Sequence, residues 1–474
     1  PEIVMKRQKA LNIILLVIVV ALILILDIDY NAIMHPPGNQ TPLILPGIDS
    51  WQPPEHYVTV AAADSERTFH SFANYICDGT NDEEEISAAI AHLPSAGGAV
   101  ILSSGTFNLS DTVRMRDSVT LKGEGENRTV LNFLTPNSIS TAGAHNITLR
   151  DFQFGGKGRI YITSSHITLE HVRAYGLDNL TLSAFHIYAT DDVIEDVQFI
   201  ECSAIDCNRS GFVHTGEGKN ALIRDVRYVR CSAVNNGRFS QYYGKNGEYP
   251  DSWSSGFVAV ENIPGENIYY EECLATGSWE NGFHLEPPSS GGTAVNITYM
   301  RCTAADNGQK EWTQDPHAPA SWGAGFMVVQ GVSLQDCTAE RNIVGYYCNY
   351  GGGNLAGCSD AGSKTGFLIL KITRGLTLQH CASHNTTQPV RIWTGTTRNV
   401  LITGMTIYSA TNQAHPGITI ERLAENPTLV RIVDSTITNY RIGVDNRASG
   451  RVNVENVQVR GSITDFVNCK IVRN

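Results

Sequence analysis

Six segments of the chain repeat one order of apolar and polar positions: FIECSAIDCN, YVRCSAVNNG, YEECLATGSWENG, YMRCTAADNG, LQDCTAERN and LQHCASHN. Each runs from an apolar residue through two polar ones to Cys, then to a small residue, Ala or Ser, and a polar turn that usually ends in Asn. A second element, GFVHTG, GFVAVE, GFHLEP, GFMVVQ and GFLILK, recurs from Gly211, Gly256, Gly282, Gly325 and Gly366. A third sets Asn ahead of a short β-branched strand, as in NITL, NALIRDV, NIYYEE, NITYMR and NVLITGM. Short strands at intervals of about twenty to forty residues, with no helical period between them, predict a β-solenoid of stacked coils. One coil cannot bury its own apolar side, so like residues must form ladders along the axis. Cys202, Cys231, Cys273, Cys302, Cys337 and Cys381 then fill a narrow interior. The turn asparagines adopt left-handed conformations and bond to backbone.

Alternation assigns the faces of the Gly-Phe strands. With Phe inward, His214, Ala259, Leu285, Val328 and Ile369 also point inward, and Val213, Val258, His284, Met327 and Leu368 point outward. So apolar an outward strip predicts a face covered by loops or a partner, or the floor of a binding groove. His284 and Glu286 are its polar exceptions.

Cys77 to Leu131 carries a different pattern. Asn81 or Asp82 caps an amphipathic helix from about Glu83 to Leu93, with acidic residues in its first turn. Gly97 and Gly98, the strand AVILS, then GTF and VTLKGEG follow. This run resembles the N-terminal cap of the right-handed parallel β-helix proteins of the pectate-lyase-like superfamily, in which a D-G-x-x-D segment and a helix cover the first coil. The cap match spans Asp78 to Leu131, and the repeats extend it to about Cys469. The resemblance implies an all-β, right-handed parallel β-helix with a short capping helix, over residues 56–474. Insertions are expected at about 237–255, 308–324 and 345–365.

The N-terminus changes the expected location. Lys6, Arg7 and Lys9 precede an apolar run from Ala10 to Leu26, near the lower end of the roughly 17 to 25 residues that span a bilayer. The basic flank would stay cytoplasmic, making 1–30 a transmembrane anchor and facing the remainder outward, on the extracellular or cell-envelope side. A cleaved signal peptide is the rival, but no small-x-small site follows the run. Residues 31–55, rich in Pro, read as an extended spacer.

A formal net charge of -12 excludes unaided binding to nucleic acid, which needs clustered Lys and Arg. It leaves an uncharged glycan, a cationic partner or a Ca²⁺-bridged anionic polymer. Of the 11 Cys, Cys348 and Cys358 bracket the Gly-rich CNYGGGNLAGC and are expected to form a local disulfide. No C-x-x-C or matching His spacing supports zinc, and no metal site is assigned. Asn108, Asn127, Asn146, Asn179 and Asn296 head N-x-[ST] triplets compatible with glycosylation.

Aromatic residues concentrate in the insertions and the coils between them: Tyr242, Tyr243, Trp253, Trp279, Trp312, Trp322, Tyr346 and Trp393. Ring faces stack on the C–H surfaces of sugars while acids and amides take hydroxyls, so these residues are candidate polysaccharide contacts. The alternative is that they pack the insertions onto the coils.

For catalysis, the resemblance implies a hydrolase, a lyase or a uronan epimerase. A hydrolase needs paired carboxylates, for which Glu248, Asp251, Glu286 and Asp315 are candidates with His284 assisting. Asp191 and Asp192 are adjacent, but the companion motifs of polygalacturonase-like enzymes are absent, which favours a solvated turn. Lyases of the superfamily often pair Ca²⁺-binding acids with a basic residue. Lys371 or Arg391 would serve, although no acidic ligand cluster accompanies them. The epimerase motif Y-G-F-D-P-H-[DE] is matched only by Asp315, Pro316 and His317 in TQDPHAP. The reading is a polysaccharide-binding β-helix that cleaves or epimerises its ligand. The rival is a non-catalytic envelope or filament subunit, or an adhesin, that docks neighbouring copies through its apolar strip.

Overall fold

Every pairing among the described strands is parallel and joins one coil to the next, as in Phe185↔Phe212, Phe212↔Phe257 and Phe257↔Phe283. The computed structural model describes residues 51–179, 181–237, 254–260, 262–285, 294–308, 323–393, 397–422, 429–448 and 451–472. Residues 53–474 form one compact unit. Each coil contributes strands to three longitudinal stacks that match the three sequence elements. The asparagine stack includes Leu222–Val229, Gly265–Glu271 and Ala294–Met300. The cysteine stack includes Ser232–Val234, Leu274–Thr276 and Thr303–Ala305. The Gly-Phe stack includes Phe257–Ala259, Phe283–Leu285 and Ala324–Val328. This is a parallel β-helix.

Its interior is built from ladders. Phe185, Phe212, Phe257, Phe283, Phe326, Tyr346 and Phe367 stack with successive ring centroids 4.6 to 5.3 Å apart and planes within 8°. Phe199, Tyr228, Tyr270 and Tyr299 form a second stack at 4.6 to 4.7 Å, meeting the first edge-on. Each such pair contributes about 0.5–1.5 kcal/mol beyond area burial. The repeated Gly is required by close approach. A Cβ at Gly211, Gly256, Gly282, Gly325 or Gly345 would stand 2.8 Å from the carbonyl oxygen of the next glycine in the row.

The cysteine ladder runs through Cys202, Cys231, Cys273, Cys302, Cys337, Cys358 and Cys381, all buried. Burial pushes the Cys231, Cys273, Cys302 and Cys337 thiols well above their ordinary value, which keeps them protonated and unreactive. Asparagines serve the turns in two ways. Asn146 and Asn399 hold positive φ just ahead of their strands, and Asn267 and Asn296 hold it within theirs. Asn236, Asn307 and Asn342 are buried and donate to the carbonyls of Ala204, Ala275 and Ala304. The capping helix spans Glu83–His92 with Glu83, Glu84 and Glu85 in its first turn. The carboxylate of Asp82 accepts from the backbone N–H groups of Gly79 and Asn108 instead of capping the helix.

Several expectations are corrected. Cys348 and Cys358 are free, buried thiols. Cys348 ends the strand Val344–Cys348, whereas Cys358 belongs to the cysteine ladder. The expected insertion at 345–365 is a regular coil, with strands Val344–Cys348, Gly353–Ala356, Ser359–Ala361 and the start of Thr365–Ile369. Asn179 is buried, donating to the Lys157 carbonyl and accepting from Thr181 and Leu182, so it is not an accessible glycan acceptor. Asn127, Asn146 and Asn296 are exposed and Asn108 is half-buried. The membrane-anchored location is also corrected: no helix among the described residues is long and apolar enough to cross a membrane. The N-terminal run and nearly all of the expected spacer lie outside the described residues, as do 238–253 and 309–322 of the other two insertions.

Candidate functional site

The outward strip of the Gly-Phe stack is apolar, as expected, and it is covered. Val213, Val258, His284, Met327, Tyr347 and Leu368 are all buried. Met327, Tyr347, Leu368 and Leu370 form a satellite core with Ala324 and Val344, against which Ile343 and Trp393 pack.

His284 is 4% exposed. Asn281 Oδ1 accepts the backbone N–H groups of Gly323 and Ala324 at 3.1 and 2.7 Å, which orients the amide so that Nδ2 donates to His284 Nδ1 at 2.9 Å. A buried asparagine thus ties His284 to the entry of the next Gly-Phe strand. Glu286, Asp315, His317, Tyr242, Tyr243, Trp253, Trp312 and Trp322 lie outside the described residues.

The remaining expected contacts are dispersed. Tyr346 is fully buried in the aromatic ladder and donates to the carbonyls of Cys337 and Ser359. It points inward because it occupies the row of Phe326 and Phe367, so it cannot stack on a ligand. Trp279 and Trp393 are half-buried. Arg391 donates through Nε and Nη2 to Glu421 at 3.1 and 2.8 Å. A guanidinium stays protonated in proteins, so this paired arginine is not a base. Lys371 lies 5.2 Å from the centroid of the Tyr350 ring. Asp191 and Asp192 are exposed in a turn, where they accept from the backbone of Asn220 and Thr190.

The strip opens at its N-terminal end, on the strands Arg159–Ile162, Phe185–Thr190 and Phe212–Glu217. The register Ile160↔Phe185↔Phe212 turns Tyr161, His186, Tyr188 and Thr215 outward. All four, and Arg159, are partly exposed. The Arg159 guanidinium stacks 3.9 Å from the Tyr161 centroid and donates to His186 Nδ1 at 2.9 Å. His186 Nε2 lies 2.7 Å from Thr215 Oγ1. The Tyr161 and Tyr188 rings are 5.9 Å apart, and each meets His186 edge-on. Burial, then the charge of Arg159, pushes His186 down to about 3, so the ring is neutral at physiological pH. Burial also lowers Arg159 and raises Tyr161.

The sequence reading missed this patch because it counted Gly-Phe strands from Gly211. SAFHIYAT, with Ala184 in place of Gly, is the preceding rung. Aligning its Phe185 with Phe212 would have set His186 and Tyr188 on the outward row.

Among the described residues, the one grouped set of metal-ligating side chains does not fit the Ca²⁺ that the resemblance allowed. Among the described residues, the group that could hold a metal ion is Cys77, Asp82 and Glu85 in the N-terminal cap. Ca²⁺ takes oxygen ligands, Cys77 offers sulfur, and both Asp82 oxygens accept backbone N–H groups.

No family model matches the chain, and no curated protein matches it. Similar solved structures include the A-module of the Azotobacter vinelandii mannuronan C-5 epimerase AlgE4, 16% identical over 83% of this chain and 96% of that one, with a TM-score of 0.49. The pectate lyase Pel9A is 14% identical over 72% of this chain and 78% of its own, at 0.43. The catalytic domain of a GH87 alpha-1,3-glucanase, in complex with nigerose, is 12% identical over 79% of this chain and 63% of its own, at 0.34. None of these scores carries a substrate or activity to this chain. Its own parallel pairing, stacked ladders and capping helix make it a parallel β-helix.

Proposed function

We propose that the protein binds a polysaccharide across the outward face of the Gly-Phe stack, at the patch formed by Arg159, Tyr161, His186, Tyr188 and Thr215. The observation that carries this reading is a pair of partly exposed tyrosine rings 5.9 Å apart, flanked by hydrogen-bonding side chains on strands fixed by the core. Such rings present flat apolar surface with a polar edge, which suits the C–H faces and hydroxyls of sugars. A site on strands also binds with little ordering cost.

For turnover, by hydrolysis, elimination or C5 epimerisation, His284, Glu286, Asp315 and His317 are the acid–base candidates, with Lys371 as the cationic one. Arg391 leaves the set because Glu421 already engages it.

Affinity electrophoresis of the purified protein through neutral and uronic polysaccharides tests the reading. Retardation by at least one glycan, weakened in both Y161A and Y188A, is expected. If the wild type migrates unchanged through all of them, the reading fails. The same incubations, followed for new reducing ends, unsaturated sugar absorbance and C5 proton exchange, establish whether binding leads to chemistry.

A further inference from the structure

Arg159 stands apart from its neighbours. Arg150, Arg173, Arg224, Arg227 and Arg230, in nearby coils, are each ion-paired with an aspartate or glutamate. Among the described residues, no carboxylate lies within ion-pair distance of Arg159; its neighbours are the Tyr161 ring and His186. A partly desolvated cation without a counter-charge is costly, and it is conspicuous in a chain whose formal net charge is -12.

The hydrogen-bond directions follow from donor chemistry. Arginine has donors and no acceptor, so His186 Nδ1 must accept from it. The neutral ring then carries its proton on Nε2 and donates to Thr215 Oγ1. With a lone pair of Thr215 engaged, its own hydroxyl proton is available to an outside acceptor. His186 therefore acts as a relay of fixed polarity, ruling out the opposite arrangement in which it would take a proton from Thr215. The patch is bounded by Glu217, at the end of the strand Phe212–Glu217.

We infer that Arg159 and Thr215, aligned by His186, form a receptor for an oxyanion carried by the glycan, either a carboxylate or a sulfate ester. This inference rests on the polysaccharide reading and adds the charge of the ligand. Charge-assisted bonds from a guanidinium to an oxyanion are short and strong, and geometry favours two at once. The site is a binding one, with Arg159 and Thr215 as contacts and His186 as a positioning residue.

Isothermal titration of the full chain with an oligouronate, a sulfated oligosaccharide and a neutral oligoglucan of equal length tests it. Tighter binding of an acidic ligand than of the neutral one is expected, and the preferred acid identifies the group. R159Q should weaken acidic binding by about tenfold or more and neutral binding by clearly less. T215V, nearly isosteric, should weaken acidic binding several-fold. H186F should mimic T215V. H186Q should restore binding, because its amide can accept from Arg159 and donate to Thr215. Melting curves matching wild type establish that the variants fold. Equal binding of neutral and acidic ligands, or acidic binding indifferent to R159Q, overturns the receptor and leaves polysaccharide binding standing. Binding of none of the three overturns both.

Discussion

Asp360 occupies a place in the interior that the preceding coils give to alanine. The register Ala304↔Ala339↔Asp360↔Ser383 sets it in the cysteine stack, and the side chain is fully buried. Thr386 Oγ1 donates to it at 2.5 Å. Even so, burial raises the carboxyl from its ordinary 3.8 to about 7. A group whose folded value is raised binds a proton more readily in the native state than in the unfolded one, so stability falls as pH rises between the two values. At 1.36 kcal/mol per pH unit, the folded protein carries a penalty of about 4 kcal/mol at pH 8 and under about 1 kcal/mol at pH 4.

D360A removes that penalty and the Thr386 hydrogen bond together. The lost bond is worth about 1–2 kcal/mol, a cost limited by the His384 carbonyl, which lies 3.3 Å from Thr386 Oγ1 as an alternative acceptor. The difference has opposite signs at the two pH values: about 2–3 kcal/mol more stable than wild type at pH 8, and about 1 kcal/mol less stable at pH 4. Urea midpoints of both proteins at the two pH values measure this. A shift of the same sign and size at both would refute the reasoning, because the carboxyl would then not be titrating within the fold.

Other consequences are equally direct. G282A places a Cβ 2.8 Å from the Gly325 carbonyl oxygen and 2.9 Å from Asn307 Nδ2; overpacking against backbone should cost about 1–3 kcal/mol, read as a lower melting temperature. Thiol titration in guanidinium without reductant should count all 11 cysteines; nine would restore the Cys348–Cys358 bridge. His171 lies 3.1 Å from Asp151 and 3.2 Å from Glu201. The Asp151 hydrogen bond raises it against the opposing effect of burial, so its stabilisation is present below its ordinary value of 6.5 and is lost as pH rises through the folded value. H171Q should therefore lower the melting temperature more at about pH 6 than at about pH 9, and an equal drop at both would argue against that ion pair. Burial alone would raise Asp151, but bonds from His171 and Arg150 and the charge of Lys122 hold it well below the usual range. That stabilisation is present above the ordinary value of 3.8 and disappears as pH falls through the folded value. Acid-unfolding curves of D151N should be flatter than those of wild type.

The coil architecture was legible because ladders write themselves into sequence. A Cys or Phe that must sit above its like in every coil recurs with the same neighbours, so Cys202 to Cys381 and Phe212 to Phe367 could be read as interior rows. The seventh member, Cys358, was hidden by its surroundings. Glycine on both sides made CNYGGGNLAGC look like an excursion, although Gly352 and Gly357 hold positive φ at turns of a regular coil. Parity set His284 outward but could not report its burial, which depends on contacts outside its own strand. The buried Asn281 tether was invisible for the same reason: Gly323 and Ala324 are some forty residues away in sequence and one coil away in space.

The outward face of the Gly-Phe stack changes character along its axis, and this constrains any ligand more than residue type does. From Arg159 to Thr215 it is half-open, aromatic and rich in donors. From Val213 through Leu370 it is covered and apolar. From Arg391 to Arg447 it carries acids paired to arginines, with Arg391 engaging Glu421 and Arg447 engaging Asp445. Among the described residues, the first zone is the one that offers both solvent access and hydrogen-bonding side chains directed outward. A glycan lying along the axis would pass from donors onto a surface with little to offer its hydroxyls. One crossing the coils at Tyr161 and Tyr188 would keep its ring faces on aromatic surface and its acidic group at Arg159. The polarity of the His186 relay acts in the same direction, since it turns the Thr215 proton toward that crossing.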